Sequence, residues 1–230
     1  MRTVKWENSI SMEKLWWKKW SQIADLNKVR AELIQKSEEI NKIIRSFFEK
    51  IETLKILQIG PGGNGEINFL RGERYAIDPI ASFLKENCSV LIDPRVNFID
   101  GVAEDLPFPD SFFDVILIIN VLDHCDRPEE VLNELHRCLK KNGLLILDVH
   151  VYNFITSALH NKLNFIDKEH PHAFTSGQIE SFIKDDYDIV EKKLTDIKFV
   201  DLMNIKRIFL LALKTIKLAP VIFKVVAVRK

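Results

Sequence analysis

The chain of 230 residues, 47% apolar and 29% charged, is long enough for one sizeable core with additions. Its 33 basic and 33 acidic residues cancel, which argues against a whole-surface nucleic-acid footprint, although from Lys192 onward ten Lys/Arg face only two Asp. Three scattered cysteines (Cys88, Cys125 and Cys138) form no C-x-x-C pair, which excludes a disulfide framework and zinc spacing and fits reduced thiols in a cytoplasmic protein.

Residues 11–53 read as one helix. Leu26, Leu33, Ile40 and Phe47 recur every seven residues, and neither Gly nor Pro occurs before Gly60. Trp16, Trp17 and Trp20 lie near its start. Such a segment packs on the domain as a helical extension, or lies over a substrate pocket as a lid with the tryptophans as its wall. The expected division is a helical extension over 1–53 and a second domain over 54–230.

The pattern then changes. "LKILQI" (54–59) is a short apolar run ending at glycine, as a buried strand would. "RYAID" (74–78), "PRVNFID" (94–100) and "FFDVILIIN" (112–120) are three more strands. "PEEVLNELHRCLKK" (128–141) is an amphipathic helix opened by Pro128, with Glu129 and Glu130 in its first turn and Asn142-Gly143 ending it. "LLILDVHV" (144–151) is a fifth strand. A helix follows from Thr175, which forms a capping-box pair with Gln178. "DYDIVEKKL" (186–194) and "PVIFKVVAV" (220–228) are the last strands, with a helix between them. Alternating strands and helices predict an α/β fold: a doubly wound, seven-stranded, mostly parallel sheet.

Ligands bind such sheets at the carboxyl ends of the strands, near the switch point. Gly60 and Gly62 allow a tight turn there, and a helix after them would point its N-terminus at the site. Asp78 follows Gly60 by 18 residues and is placed to accept hydrogen bonds from two ribose hydroxyls. Gly60-x-Gly62-x-x-Gly65 also matches the dinucleotide fingerprint. The turn alone therefore leaves NAD and S-adenosylmethionine equal.

The next stretch separates them. Gly101-Val102-Ala103-Glu104, Leu106-Pro107-Phe108, Asp110-Ser111-Phe112, Asp114, Asn120-Val121-Leu122-Asp123-His124, Pro128 and Lys141-Asn142-Gly143 follow one another at set spacings. In that order they resemble the class I S-adenosylmethionine-dependent methyltransferases of the type 11 group, over roughly residues 54–151. The resemblance implies a Rossmann-like fold, S-adenosylmethionine as cofactor and methyl transfer as the activity. It places Gly60, Pro61 and Gly62 under the methionine part and ribose, Asp78 on the ribose hydroxyls, and Ile77 or Pro79 near the adenine. Ala103 and Glu104 would border the adenine, and Asn120 would face the methionine moiety or the methyl. Gln58, counted with the cofactor residues, stands where the family usually has an acid. Val102 stands where an Asp usually accepts from the adenine amine.

On the acceptor side, "DKEHPHAFT" (167–175) supplies His170 and His172 as candidate bases for a hydroxyl acceptor; the alternative is that they brace the loop. His124 is a weaker candidate. No metal site is expected. The acceptor would be a small molecule or a saccharide, methylated on oxygen, with no nucleic-acid partner. In the helix at 205–218, Lys206, Arg207, Lys214 and Lys217 share an arc of about 100°. That face suits an anionic membrane surface, while burial against the sheet or a second copy in a homodimer is the competing use. The N-terminal residues lack a secretory leader's apolar core, and no apolar run reaches spanning length, so the expected location is the cytoplasm. Rival readings are a non-catalytic protein of the same fold, motivated by Gln58 and Val102, and an NAD-dependent oxidoreductase resting on the glycine spacing.

Overall fold

The computed structural model describes residues 4–162, 172–196 and 220–230. His170 and the helix expected at 205–218 lie outside the described residues. Strands β1 (Lys55–Ile59), β2 (Glu73–Asp78), β3 (Asn97–Asp100), β4 (Phe113–Ile119), β5 (Leu139–Val151), β6 (Tyr187–Asp196) and β7 (Val221–Arg229) form one sheet among the described residues. Their order is β3-β2-β1-β4-β5-β7-β6. The first five are parallel, and β7 runs antiparallel between β5 and β6. This is the doubly wound, seven-stranded sheet expected from the alternation, closed by an antiparallel hairpin.

The central strands are apolar on both faces because both are covered. On one face Leu57, Ile59, Ile116 and Ile118 join Leu135 of α4 (Pro128–Cys138) and Ile179 of α6 (Ser176–Ile183). On the other, Ile56, Leu117 and Ile146 meet Ile40 and Ile44 of α2 (Leu26–Arg45) and Leu84 of α3 (Ala81–Asn87). The chain order leaves the ends of β1, β2 and β4 side by side, with β1 at the switch point. The capping box of Thr175 and Gln178 forms as expected at the start of α6.

Three expectations need correction. The long N-terminal helix is two: α1 (Val4–Ile23) and α2, parted at Ala24–Asp25. Asp25 is extended (φ −73°, ψ 92°), and its carboxylate accepts the Lys28 N–H at 3.2 Å. A side-chain acceptor that starts a new helix interrupts an apolar period without any Gly or Pro. The helix α2 also ends at Arg45, followed by a 3-10 turn at Ile51–Thr53.

No α-helix follows the glycine turn. Gly62–Asn64 and Glu66–Phe69 are short 3-10 turns, so no helix N-terminus is aimed at the site. Glycines at 62, 63 and 65 disfavour a helix, and only 12 residues separate Gly60 from β2. Instead α2 covers the segment: Ser37 Oγ donates to the Glu66 carbonyl at 2.9 Å, and the Arg71 N–H donates to Asn41 Oδ1 at 3.4 Å.

Helix α4 stops at Cys138, before Asn142-Gly143, which lies within β5. Phe113 pairs with Leu139 but Val115 with Leu144, so extra residues bulge from β5 and Asn142 takes a left-handed φ of 61°. The ladder resumes at once because Leu144–Leu147 are fully buried. Among the described residues no helix is long and apolar enough to cross a membrane. A further helix, α5 (Phe154–Lys162), follows β5.

Candidate active site

Strand β1 delivers the chain into a turn that only glycine follows easily: Gly60 and Gly62 have φ of 56° and 59°. The Gly60 N–H donates to the Ile77 carbonyl at 2.8 Å, which ties the turn to β2. Asp78 then clasps it. Its Oδ2 accepts the Gly62 N–H at 3.0 Å, and its Oδ1 accepts the Ile80 N–H at 3.0 Å. The residue is 2% exposed, and burial pushes its carboxyl up to about 6 against the pull of those donors, with Asp100 adding to the rise. Each carboxylate oxygen keeps a lone pair beyond these bonds, so Asp78 braces the turn and retains acceptor capacity. Pro61 is buried beside the turn and packs on Gly65.

Gln58 is engaged within the fold. Its Nε2 donates to Glu66 Oε2 at 2.8 Å, and its Oε1 accepts the Ile67 N–H at 2.8 Å. Glu66, 8% exposed, thus brings a carboxylate beside the β1 end, where the family usually has an acid. Sequence reasoning missed it; its position eight residues beyond Gln58 inside a glycine-rich turn was the available signal.

On the adenine side of the expected site, Ala103 is buried in the core and Pro79 is half-buried. The Glu104 Oε1 accepts the N–H groups of Asp126 (2.9 Å) and Arg127 (3.3 Å), which braces the entry to α4. Val102 forms an isolated bridge with Asp105.

Asn120, exposed at the end of β4, has a left-handed φ of 54°, and its N–H donates to the Asp148 carbonyl at 2.8 Å. After it, the 3-10 turn Leu122–His124 buries Asp123 to 1% exposure. Three groups converge there. The His172 N–H donates to the Asp123 carbonyl at 3.4 Å, and the His172 ring lies parallel to Phe174 with centroids 5.8 Å apart. His150 Nδ1 stands 3.9 Å from Asp123 Oδ2. His150 and Asp123 escaped the sequence reading, because their meeting depends on β4 and β5 being neighbours.

Trp17 of α1 also stands at this end of the sheet. It is 6% exposed, and its ring lies directly on the glycine turn, so that a Cβ at Gly62 would collide with it. At Gly63 a Cβ would meet the same ring at 3.0 Å. Of the two uses open to the tryptophan segment, this one is lid-like for Trp17, while Trp16 is exposed. A groove of about 650 Å³ lies elsewhere, at the amino ends of β2 and β3. Three of its four arginines form ion pairs, Arg74 and Arg95 with Asp93 and Arg71 with Glu52, while Arg30 lies over the Phe69 ring.

Residues 57–147 match a family described as a methyltransferase domain. The ubiquinone/menaquinone biosynthesis C-methyltransferase UbiE of Stutzerimonas stutzeri is 36% identical over 104 residues, 40% of each chain. A ubiquinone biosynthesis O-methyltransferase of Rickettsia akari is 26% identical over 145 residues, 57% of this chain and 53% of its own. The chain thus spans about half the length, or less, of these curated relatives. Geranyl diphosphate C-methyltransferase from Streptomyces coelicolor, solved with Mg²⁺, geranyl diphosphate and S-adenosylhomocysteine, shares the fold with a TM-score of 0.66 at 14% identity, over 89% of this chain and 83% of its own. Motif order, the matched segment and the strand order agree: residues 57–147 are similar to a methyltransferase domain, set in a sheet of the same fold as these solved methyltransferases.

Proposed function

We propose that this protein transfers a methyl group from S-adenosylmethionine to a hydroxyl of a small-molecule acceptor. The observation that carries the reading is the Asp78 clasp on the glycine turn at the switch point of the sheet. The residues present fit the cofactor. Gly60 and Gly62 carry no side chain at the turn, Asp78 offers acceptors for ribose hydroxyls, and Glu66 sets a carboxylate at the β1 end that suits the cofactor's ammonium.

S-adenosylmethionine, when bound, supplies a methyl already activated for in-line displacement. The protein's task is therefore alignment and water exclusion. On the acceptor side, His172 or His150 takes the hydroxyl proton. The buried Asp123 carboxylate lies beside His150, and its main-chain carbonyl holds the His172 N–H. Small-molecule acceptors also fit the relatives, whose names place two of them in quinone biosynthesis. A saccharide, the other acceptor expected from the sequence, belongs in the same screen.

The test is isothermal titration of the full chain with S-adenosylmethionine, S-adenosylhomocysteine and NADH. Binding of both sulfur ligands but not NADH, lost in Asp78→Ala, supports the reading. Binding of NADH alone restores the oxidoreductase, and binding of none leaves the non-catalytic relative.

A further inference from the structure

We propose that α1 is a self-inserting strap: Trp17 occupies the cleft on Gly62 and Gly63, and S-adenosylmethionine enters only when α1 swings out. The inference rests on reading that cleft as the cofactor site.

The indole does not merely cover the turn. It is packed onto the Cα side of Gly62, the surface that the missing side chain leaves bare for a ligand. Ring and ligand therefore claim the same space. Around it, Cys88 Sγ lies 3.9 Å from the Trp17 carbonyl, and Lys14 sits 5.8 Å from the Phe83 ring, so α1 is laid against α3 across the cleft.

The hold is slight. Among the described side chains of α1, only Trp17 is buried; Ile10 and Trp20 are half-buried against the same core, and Met12, Leu15, Trp16 and Ile23 are exposed. Glu13, one turn before Trp17, accepts the Trp17 Nε1–H at 3.4 Å and lies within electrostatic reach of Asp78, a like charge that works against closure. A helix that buries one apolar side chain and half-buries two opens more readily than the core beneath it.

The geometry also supplies a hinge. Helix α2 is fastened through buried Leu33, Ser37, Ile40, Asn41 and Ile44, and Ser37 is bonded to the Glu66 carbonyl. Between the two helices, Asp25 alone caps the start of α2. Rotation about Ala24–Asp25 would release α1 and leave α2 in place. Cofactor and Trp17 then compete, and the apparent affinity is reduced by the fraction of molecules that are closed.

The test compares S-adenosylhomocysteine binding to the full-length wild type and Trp17→Ala by titration calorimetry. Trp17→Ala is expected to bind about tenfold tighter, as removal of a closed state favoured about ten to one requires. A second arm uses a chain with Trp6→Phe, Trp16→Phe and Trp20→Phe, leaving Trp17 as the only tryptophan. Its emission is expected to shift to the red as S-adenosylhomocysteine moves the indole into water. Equal or weaker binding by a folded Trp17→Ala, or emission that stays blue at saturation, overturns the strap. If neither protein binds the ligand while both melt cooperatively, the cofactor reading itself has failed, and the strap falls with it.

Discussion

Asp78 holds the Gly62 N–H at 3.0 Å, so the acid that ends β2 also fixes the turn that ends β1. The same carboxylate reaches the Ile80 N–H. Substitution therefore acts on binding and on stability together. Asp78→Ala is expected to weaken S-adenosylhomocysteine binding by about 30- to 100-fold, the equivalent of two lost ribose hydrogen bonds. It also strands two backbone donors, at a cost of roughly 1–3 kcal/mol each where water cannot reach them. Calorimetry and thermal melts on the same sample separate the two effects. Wild-type affinity in the variant would remove Asp78 from the site.

A matched pair of glycines tests the turn. Gly60→Ala forces a side chain into a φ of 56° and within 2.7 Å of Val121. The expected loss is about 1–3 kcal/mol, seen as a lower Tm. Gly177→Ala, at the start of α6 with nothing within 4 Å of the new methyl, is expected to be neutral or slightly stabilising. Equal melting of the two variants would contradict the strain assigned to Gly60.

Gln58→Glu restores the acid usual in the family, yet it is expected to harm this protein. The new carboxylate would face Glu66 at the present 2.8 Å contact and would remove the donor that Glu66 now uses. Two carboxylates so close raise one pKa, so the folded state holds an extra proton. Stability then falls as pH rises through that raised pKa. Melts at pH 5 and pH 8 should show a larger deficit at pH 8, of roughly 2 kcal/mol. An equal deficit at both pH values would show that charge is not the cause.

Asp148 offers the same logic in the native chain. Its Oδ1 is buried without a partner, and burial pushes its carboxyl up to about 6, with Lys224 opposing and Glu66 adding to the rise. Between the ordinary value of 3.8 and about 6 the folded state binds the proton more tightly than the unfolded chain. Stability is thus lost as pH climbs through that window, and the penalty is complete above it. Asp148→Asn is expected to raise Tm by a few degrees at pH 8 and by much less at pH 4, since the mutation removes roughly 2 kcal/mol of that penalty. A gain that is the same at both pH values would place its origin elsewhere.

Much of this architecture is a local property of the chain. Ile56, Leu57 and Ile59 form an apolar run that ends at Gly60, and runs of this kind mark buried strands whatever surrounds them. The capping box at Thr175 and the placing of Asp78 18 residues after Gly60 follow from spacing alone, as do the motifs that carry the family resemblance. Other features depend on contacts distant in sequence. An unbroken apolar period hid the helix break, because the Asp25 carboxylate competes with the helix without disturbing hydropathy. Spacing gave no sign that Gln58 pairs with Glu66, or that the Glu104 carboxylate braces the entry to α4. His150 meets Asp123 only because β5 lies beside β4. Trp17 reaches Gly62 across 45 residues, a contact decided by the packing of α1 over the turn that ends β1 and invisible to any local pattern. Residue spacing along one strand or helix determined the fold and the place of the cleft; tertiary packing decided which side chains face it and which one fills it.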